Sequence, residues 1–293
     1  MDFKLTEEHI YIQQTARDFA KNEIAPSAVD RDIKAEFPAE IVAKLGELGF
    51  MGMMVSPEWG GSGLDTLSYV IAMEEISKVD ASVGVIMSVN NSLVCHGLQK
   101  YGNDAQKEKY LKPLAMGQKL GAFALSEPEA GSDATDQKSV AELKGDFYYL
   151  NGMKNWITNG TKADYYLLQA VTDKSKGYKG ISTFIIERDF EGFEIGKKED
   201  KLGIRSSDTC SIGLNNCKVP KENLLGSEGM GFKIAMDTLN GGRIGIASQA
   251  LGIAQASYEA AVKYSKERKA FDAPIAHLDR KSTRLNSSHG KLS

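Results

Sequence analysis

Two short segments carry residue types that could hold a ligand and work on it. The first runs Phe123-Ala124-Leu125-Ser126-Glu127-Pro128-Glu129-Ala130-Gly131-Ser132-Asp133. Its apolar start reads as a strand. Its exit offers the Ser126 and Ser132 hydroxyls and open backbone N–H groups around Gly131, a set that suits phosphates or carbonyl oxygens. The second segment is Trp156-Ile157-Thr158-Asn159-Gly160. A Trp followed two residues later by a hydroxyl can give one planar ligand both an aromatic face and a hydrogen-bond donor. Taken alone, each segment reads more simply as a strand-to-turn exit or a half-buried strand Trp. No GxGxxG follows a strand, so a Rossmann-type dinucleotide fold is not supported.

The elements that position these segments change texture along the chain. Thr6 caps a helix running through Ile10, Ala16 and Phe19 toward Pro26, with Glu7 and Glu8 favourable in its first turn. Residues 39–48 place Ile41, Leu45 and Leu48 on one face and stop at Gly49. Asp65 opens another helix with Val70, Met73 and Ile76 inward, after the turn-forming loop 57–63. Asn103 caps a helix over 103–115 that only Pro113 interrupts. From Gly121, β-branched and aromatic runs take over. The run 147–150 is expected to pair with 153–157 across Asn151-Gly152 as a hairpin. Runs at 165–171, 181–186 and 210–214 continue the strand pattern, and helix returns at 231–239 and 244–266. This order gives an α+β chain of three modules rather than alternating βαβ units: helical 1–118, β 119–225, and the start of a second helical module at 226–279.

Bulk properties narrow the classes. The chain has 293 residues, 42% of them hydrophobic, enough for a substantial core. A formal net charge of -3, with no basic stripe, argues against nucleic acid. No signal-peptide core and no apolar run approaching the roughly 18 residues of a bilayer span are read, so a membrane partner is not expected. Cys95, Cys210 and Cys217 form neither a paired framework nor a zinc-type cluster; reduced, buried thiols in a cytoplasmic protein are expected, and no metal site. Residues 280–293, RKSTRLNSSHGKLS, have the composition of an unfolded tail. The genuine continuation of the helical module is expected to be missing.

Together the two segments, AFALSEPEAGSD followed by NWITNG, resemble the acyl-CoA dehydrogenase family, and closely its short-chain (butyryl-CoA) branch. KLGIRSSDT, LLGSEGMGF, NGGRIGIASQALGIAQ and SKERKAF agree in the same order, so the resemblance spans roughly residues 1–278. It implies an N-terminal helical domain, a β-barrel-like or sandwich middle domain that binds FAD, and a C-terminal helical bundle. The implied reaction is FAD-dependent α,β-dehydrogenation of a short, four-carbon acyl-CoA, a step of fatty acid β-oxidation, with electrons passed to an electron-transferring flavoprotein and a homotetramer when full length. Carried over by residue, Phe123, Ala124, Leu125, Ser126, Gly131 and Ser132 line FAD, and Ser132 also meets the acyl-CoA. Trp156, Ile157 and Thr158 contact the flavin ring, the Thr158 hydroxyl at its N5 edge. Asn240, Gly241, Gly242 and Arg243 lie beside the substrate, and Arg268 reaches FAD, typically on a neighbouring subunit.

Arg243 and Arg268 also read as an ion-pair partner and a solvated helix charge. Two positions depart from the family: Asn240 stands where Asp is usual, and Asp136 where a small residue is usual. The catalytic base is expected beyond the chain, because the usual Glu lies in the later helical domain and the alternative position, just before Arg243, is Gly242. None of Glu259, Glu267 or Asp272 matches a family base, so no catalytic residue is nominated. Two other readings stay open: an oxidase on the same fold, acting on acyl-CoA or a nitroalkane, and a catalytically silent fragment that binds flavin and acyl-CoA.

Overall fold

A computed structural model describes residues 4–281. Helix α1 (Glu7–Phe19) begins where the Thr6 hydroxyl accepts the His9 N–H, and a π turn at Ala20–Ile24 carries it into α2 (Ala25–Lys34). Then come α3 (Ala39–Glu47), α4 (Thr66–Ser77) and α5 (Ala81–Ser88), the last two capped by Asp65 and Asp80. A π stretch, Val89–Cys95, joins α5 to α6 (His96–Tyr101). Asn103 caps α7 (Asp104–Gln106), which continues through a π turn into α8 (Lys112–Ala115). Ile12, Ala16, Phe19, Leu45, Met73 and Ile76 meet in one core. Ile10, along the first helix, and Leu48, read on one face with Ile41 and Leu45, are exposed. The buried stripe of α1 begins two residues later, at Ile12, and Leu48 sits past the last turn of α3, where the helical period no longer aims it inward.

By length and hydropathy the helical run Ala81–Tyr101 is apolar enough to cross a membrane, contrary to the sequence expectation, but most of it is buried inside the protein. It is a core helix by packing.

The β module is one eight-stranded sheet: β1 (Gly121–Ala124), β2 (Val140–Lys144), β3 (Phe147–Thr158), β4 (Tyr165–Val171), β5 (Ile181–Glu187), β6 (Phe193–Lys198), β7 (Thr209–Pro220) and β8 (Leu224–Leu225). The order is β6-β7-β3-β2-β4-β5-β8, with β1 parallel to β4. Here the expected hairpin fails. Residues 147–158 form a single strand, and Asn151 lies opposite a bulge on β7, where Asn215 and Asn216 face it and the register shifts. Gly152 has φ 146°, and a Cβ there would lie 2.3 Å from the Ser139 hydroxyl, so the glycine serves a close crossing rather than a turn. The true hairpin is one step earlier, where Lys144 pairs with Phe147 and Gly145 takes φ 63°.

The returning helix also differs from its reading. Gly231–Glu267 is one helix, α9, unbroken by Gly241-Gly242. Interior glycines cost a helix about 1 kcal/mol each relative to Ala; here they let α9 press close. A Cβ on Gly242 would lie 2.8 Å from Leu93 Cδ2, and one on Gly245 would lie 2.4 Å from the Tyr69 hydroxyl oxygen. The same 89–95 stretch presses Val94 onto Gly121 of β1. One buried helical segment therefore sets the spacing between the strand leading into the first loop and the middle of α9. Beyond α9, Lys269–Ala270 and Ala273–Pro274 pair as β9 and β10, and a final 3-10 turn covers Ile275–Lys281. From residue 282 the expected tail lies outside the described residues.

Cys95, Cys210 and Cys217 are buried and unpaired, as expected. Burial pushes the Cys210 and Cys217 thiols up to about 12 and raises that of Cys95 as well.

Candidate active site

Strand β1 runs in the core and releases the chain at Leu125 and Ser126, both half-buried. The chain then loops out, exposes Gly131, Ser132 and Asp133, and returns to enter β2. A Cβ on Gly131 would meet nothing within 4 Å, so this loop tip faces open space. Phe123 and Ala124 do not present side chains to that space: each is buried in a core cluster, so what they offer a ligand is backbone.

The loop is fastened to the Trp156 strand. The Asn155 N–H donates to the Ser126 carbonyl at 2.9 Å. Lys154, fully buried, donates from Nζ to Glu127 Oε1 at 2.7 Å, to the Leu125 carbonyl at 3.2 Å and to Gln137 Oε1 at 3.3 Å. Glu127 also accepts the backbone N–H groups of Lys138 and Ser139 at 2.5 and 3.1 Å. Burial pulls Lys154 down to about 8 against the opposing pull of Glu127. Burial pushes the Glu127 carboxyl up, but the Lys154 charge and the donors around it outweigh that, and it rests below its ordinary value.

Immediately after Lys154, β3 slips register against β7. In a regular strand alternate residues share a face. The slip lets Lys154 and Ile157 both point inward while Trp156, between them, turns outward and is 64% exposed. Trp156 takes φ 62°, a left-handed conformation uncommon for a bulky residue and typical of strain kept at functional positions. Ile157 is buried in the β core, so its reach toward a ligand is through its main chain. Thr158 is half-buried. Asn159, at φ 65°, ends the strand by donating from Nδ2 to the Gly121 carbonyl at 3.0 Å, tying the end of β3 to the start of β1.

The polar atoms left over fit a flavin. Among the described residues the hydroxyls of Ser126, Ser132 and Thr158 have no hydrogen-bond partner, and Asn155 Oδ1 is buried without one. Unpaired hydroxyls on the loop and on the strand that carries the exposed indole suit a planar, polar ring with a phosphate-bearing chain. The departure at Asp136 lies on the exposed part of this loop, paired with Lys138.

On α9, Gly242 is buried, and Asn240 and Arg243 are exposed. Arg243 donates to the Asn240 side-chain oxygen, so the amide that replaces the usual carboxylate still orients the guanidinium. Arg268 is not brought to either loop. It stands exposed at the far end of α9 from Gly231, the end that packs against Ile181 and Ser182 of β5. Glu259 is held by Gln255 at 2.8 Å and Lys78 at 2.6 Å, and these partners lower its pKa. Sequence reading missed Lys154, Glu127, Asn155 and Asn159. The one available signal was a lysine in the middle of a strand otherwise rich in aromatic and aliphatic residues.

The scaffold is helical, then β, then helical, with this loop and strand in its middle module. Residues 6–118, 122–217 and 229–289 match the acyl-CoA dehydrogenase N-terminal, middle and C-terminal domains in turn, and the chain belongs to that family. It is 52% identical to "Acyl-CoA dehydrogenase, short-chain specific" of Clostridium acetobutylicum over 271 residues, 92% of this chain and 72% of that protein. Among solved structures it is similar to butyryl-CoA dehydrogenase from Megasphaera elsdenii, with TM-score 0.93 and 47% identity, covering 98% of this chain and 76% of that one. It is similar at TM-score 0.94 and 50% identity to a chain in a structure of the electron transferring flavoprotein of Acidaminococcus fermentans, covering 97% and 74%. A glutaryl-CoA dehydrogenase from Mycobacterium smegmatis in complex with FADH2 follows at TM-score 0.89 and 32% identity, covering 97% and 72%.

Proposed function

We propose that the chain supplies the flavin- and acyl-facing surfaces for α,β-dehydrogenation of a short-chain acyl-CoA, with FAD as cofactor and an electron-transferring flavoprotein as the electron acceptor. The observation that carries this reading is the bulge that turns Trp156 outward on the strand to which the Ser126 loop is fastened. Trp156 would lie against the flavin ring, Ser126 and Thr158 would hydrogen-bond its polar edge, and Ser132 would sit between cofactor and acyl-CoA. When bound, FAD supplies the hydride acceptor that no side chain provides. The protein's task is alignment: holding the acyl chain so that the reacting carbons lie in line with that acceptor. Arg243, oriented by Asn240, would offer a cation to the CoA side. Similarity to short-chain and butyryl-CoA dehydrogenases supports a four-carbon substrate.

A second reading, a chain that binds flavin and acyl-CoA without turning over, is favoured by the carboxylates. Gly242 has no side chain and packs on Leu93, and Glu259 is already held by Lys78 and Gln255.

Anaerobic addition of butyryl-CoA to the FAD-loaded chain separates the two. Bleaching of the flavin band within seconds supports dehydrogenation and sinks the silent reading. A band perturbed by butyryl-CoA but unbleached supports binding alone, and a band indifferent to every acyl-CoA overturns both.

A further inference from the structure

The chemistry assigned above uses neither Lys154 nor Glu127, yet the two are among the most buried charges in the protein, with side-chain exposures of 0% and 1%. Taking two ions out of water costs several kcal/mol each, and a well-packed apolar pair often serves stability as well. Their partners indicate a specific task. Nζ of Lys154 grips the chain at Leu125, Glu127 and Gln137, and the Glu127 carboxylate grips it at Lys138 and Ser139. These contacts close the first loop at both ends, 125–127 and 137–139. Its exposed tip, Gly131 to Asp133, hangs from that ring. Within the ring, the Glu127 and Ala130 N–H groups donate to each other's carbonyls at 2.9 and 3.3 Å, so the turn is fixed locally as well. The anchor is one residue before Asn155 and two before Trp156. A single buried ammonium therefore sets the loop against the strand that presents the indole.

We infer that Lys154 and Glu127 are positioning residues: their ion pair orders residues 125–139 on the Trp156 strand before the cofactor arrives, so that Ser126, Ser132 and Trp156 form one pre-organised flavin-binding surface. The inference rests on the flavin-site reading above. A preset loop removes an ordering cost that FAD binding otherwise bears.

The test uses the full chain, stripped of flavin, beside Lys154→Met/Glu127→Gln, which removes both charges without stranding either. Amide hydrogen exchange is read without FAD, and FAD affinity is read from quenching of flavin fluorescence. The expected result is exchange across 125–139 about tenfold faster or more, with β4 and β5 still protected, and an FAD dissociation constant raised about tenfold. Unchanged exchange in 125–139 overturns the proposal. So does faster exchange with FAD affinity within about twofold, which makes the pair structural only. If the double variant does not fold, Glu127→Gln alone is read by the same two measurements; it leaves Lys154 without its counter-charge, while the Gln oxygen can still accept from Lys138 and Ser139. Failure of the unmodified chain to bind FAD overturns the flavin-site reading instead, and the exchange arm then decides by itself whether the pair orders the loop.

Discussion

The loop at 125–139 and the middle of α9 both carry residues of the proposed site, but they are held by opposite means. The loop has little apolar anchoring of its own and is closed by one buried ammonium and one buried carboxylate. The α9 segment is held by shape. Gly242 and Gly245 bring it against Leu93, Tyr69 and Ser88, while Asn240 and Arg243 stay outside with only each other for orientation. An irregular loop can be made rigid when charge is spent inside it, whereas a helix is already rigid and needs only room to approach. The two regions should accordingly fail differently.

The largest expected effect comes from breaking the ion pair on one side. Lys154→Met leaves Glu127 buried and unpaired and should cost about 3–5 kcal/mol in denaturant unfolding. A far smaller loss would mean that water reaches Glu127. The pair also has a pH signature. Lys154 is held at about 8 in the fold against an ordinary 10.5, so between those values the unfolded chain binds more protons and this group's contribution to stability rises with pH. Melting curves between about pH 8 and 10.5 should therefore show the unmodified chain gaining on Lys154→Met/Glu127→Gln. A constant difference contradicts the assignment.

Next is the glycine contact. Gly245→Val drives a side chain into the buried Tyr69 hydroxyl and Ser88 and should cost about 1–3 kcal/mol. Gly242→Ala meets only the flexible end of Leu93, and its clash is set against a helix-propensity gain of about 1 kcal/mol, so its melting temperature should scarcely move. Equal losses at both would show that α9 is not seated as described. Smallest for stability is Trp156→Ala, expected within about 0.5 kcal/mol because the indole is exposed. Its FAD affinity should still fall by up to about tenfold, the value of one aromatic contact.

What the sequence disclosed follows the range of the forces involved. Thr6, Asp65 and Asn103 were legible as helix caps because a cap is decided within four residues. Asn151-Gly152 misled because the same dipeptide suits a two-residue turn or a close crossing within a strand, and the close approach of Ser139, a neighbour across the sheet, is not written in the local sequence. Gly241-Gly242 looked like a helix break because Leu93 and Ser92, which occupy the space those residues leave, lie far away in sequence. The loop and the Trp156 strand could be singled out by residue type. Their fastening could not, since Lys154 and Glu127 are separated by 27 positions and a lysine in a strand ordinarily reads as facing solvent. Phe123, Ala124 and Ile157, named for the site, face the interior, so that any contact they make with a ligand is through the main chain.

The most direct test of the whole account is an FAD titration of the flavin-stripped chain, with Trp156→Ala and Thr158→Val measured beside it. The account predicts saturable binding near one FAD per chain that both substitutions weaken. Absence of saturable binding, or binding that neither substitution alters, would contradict it.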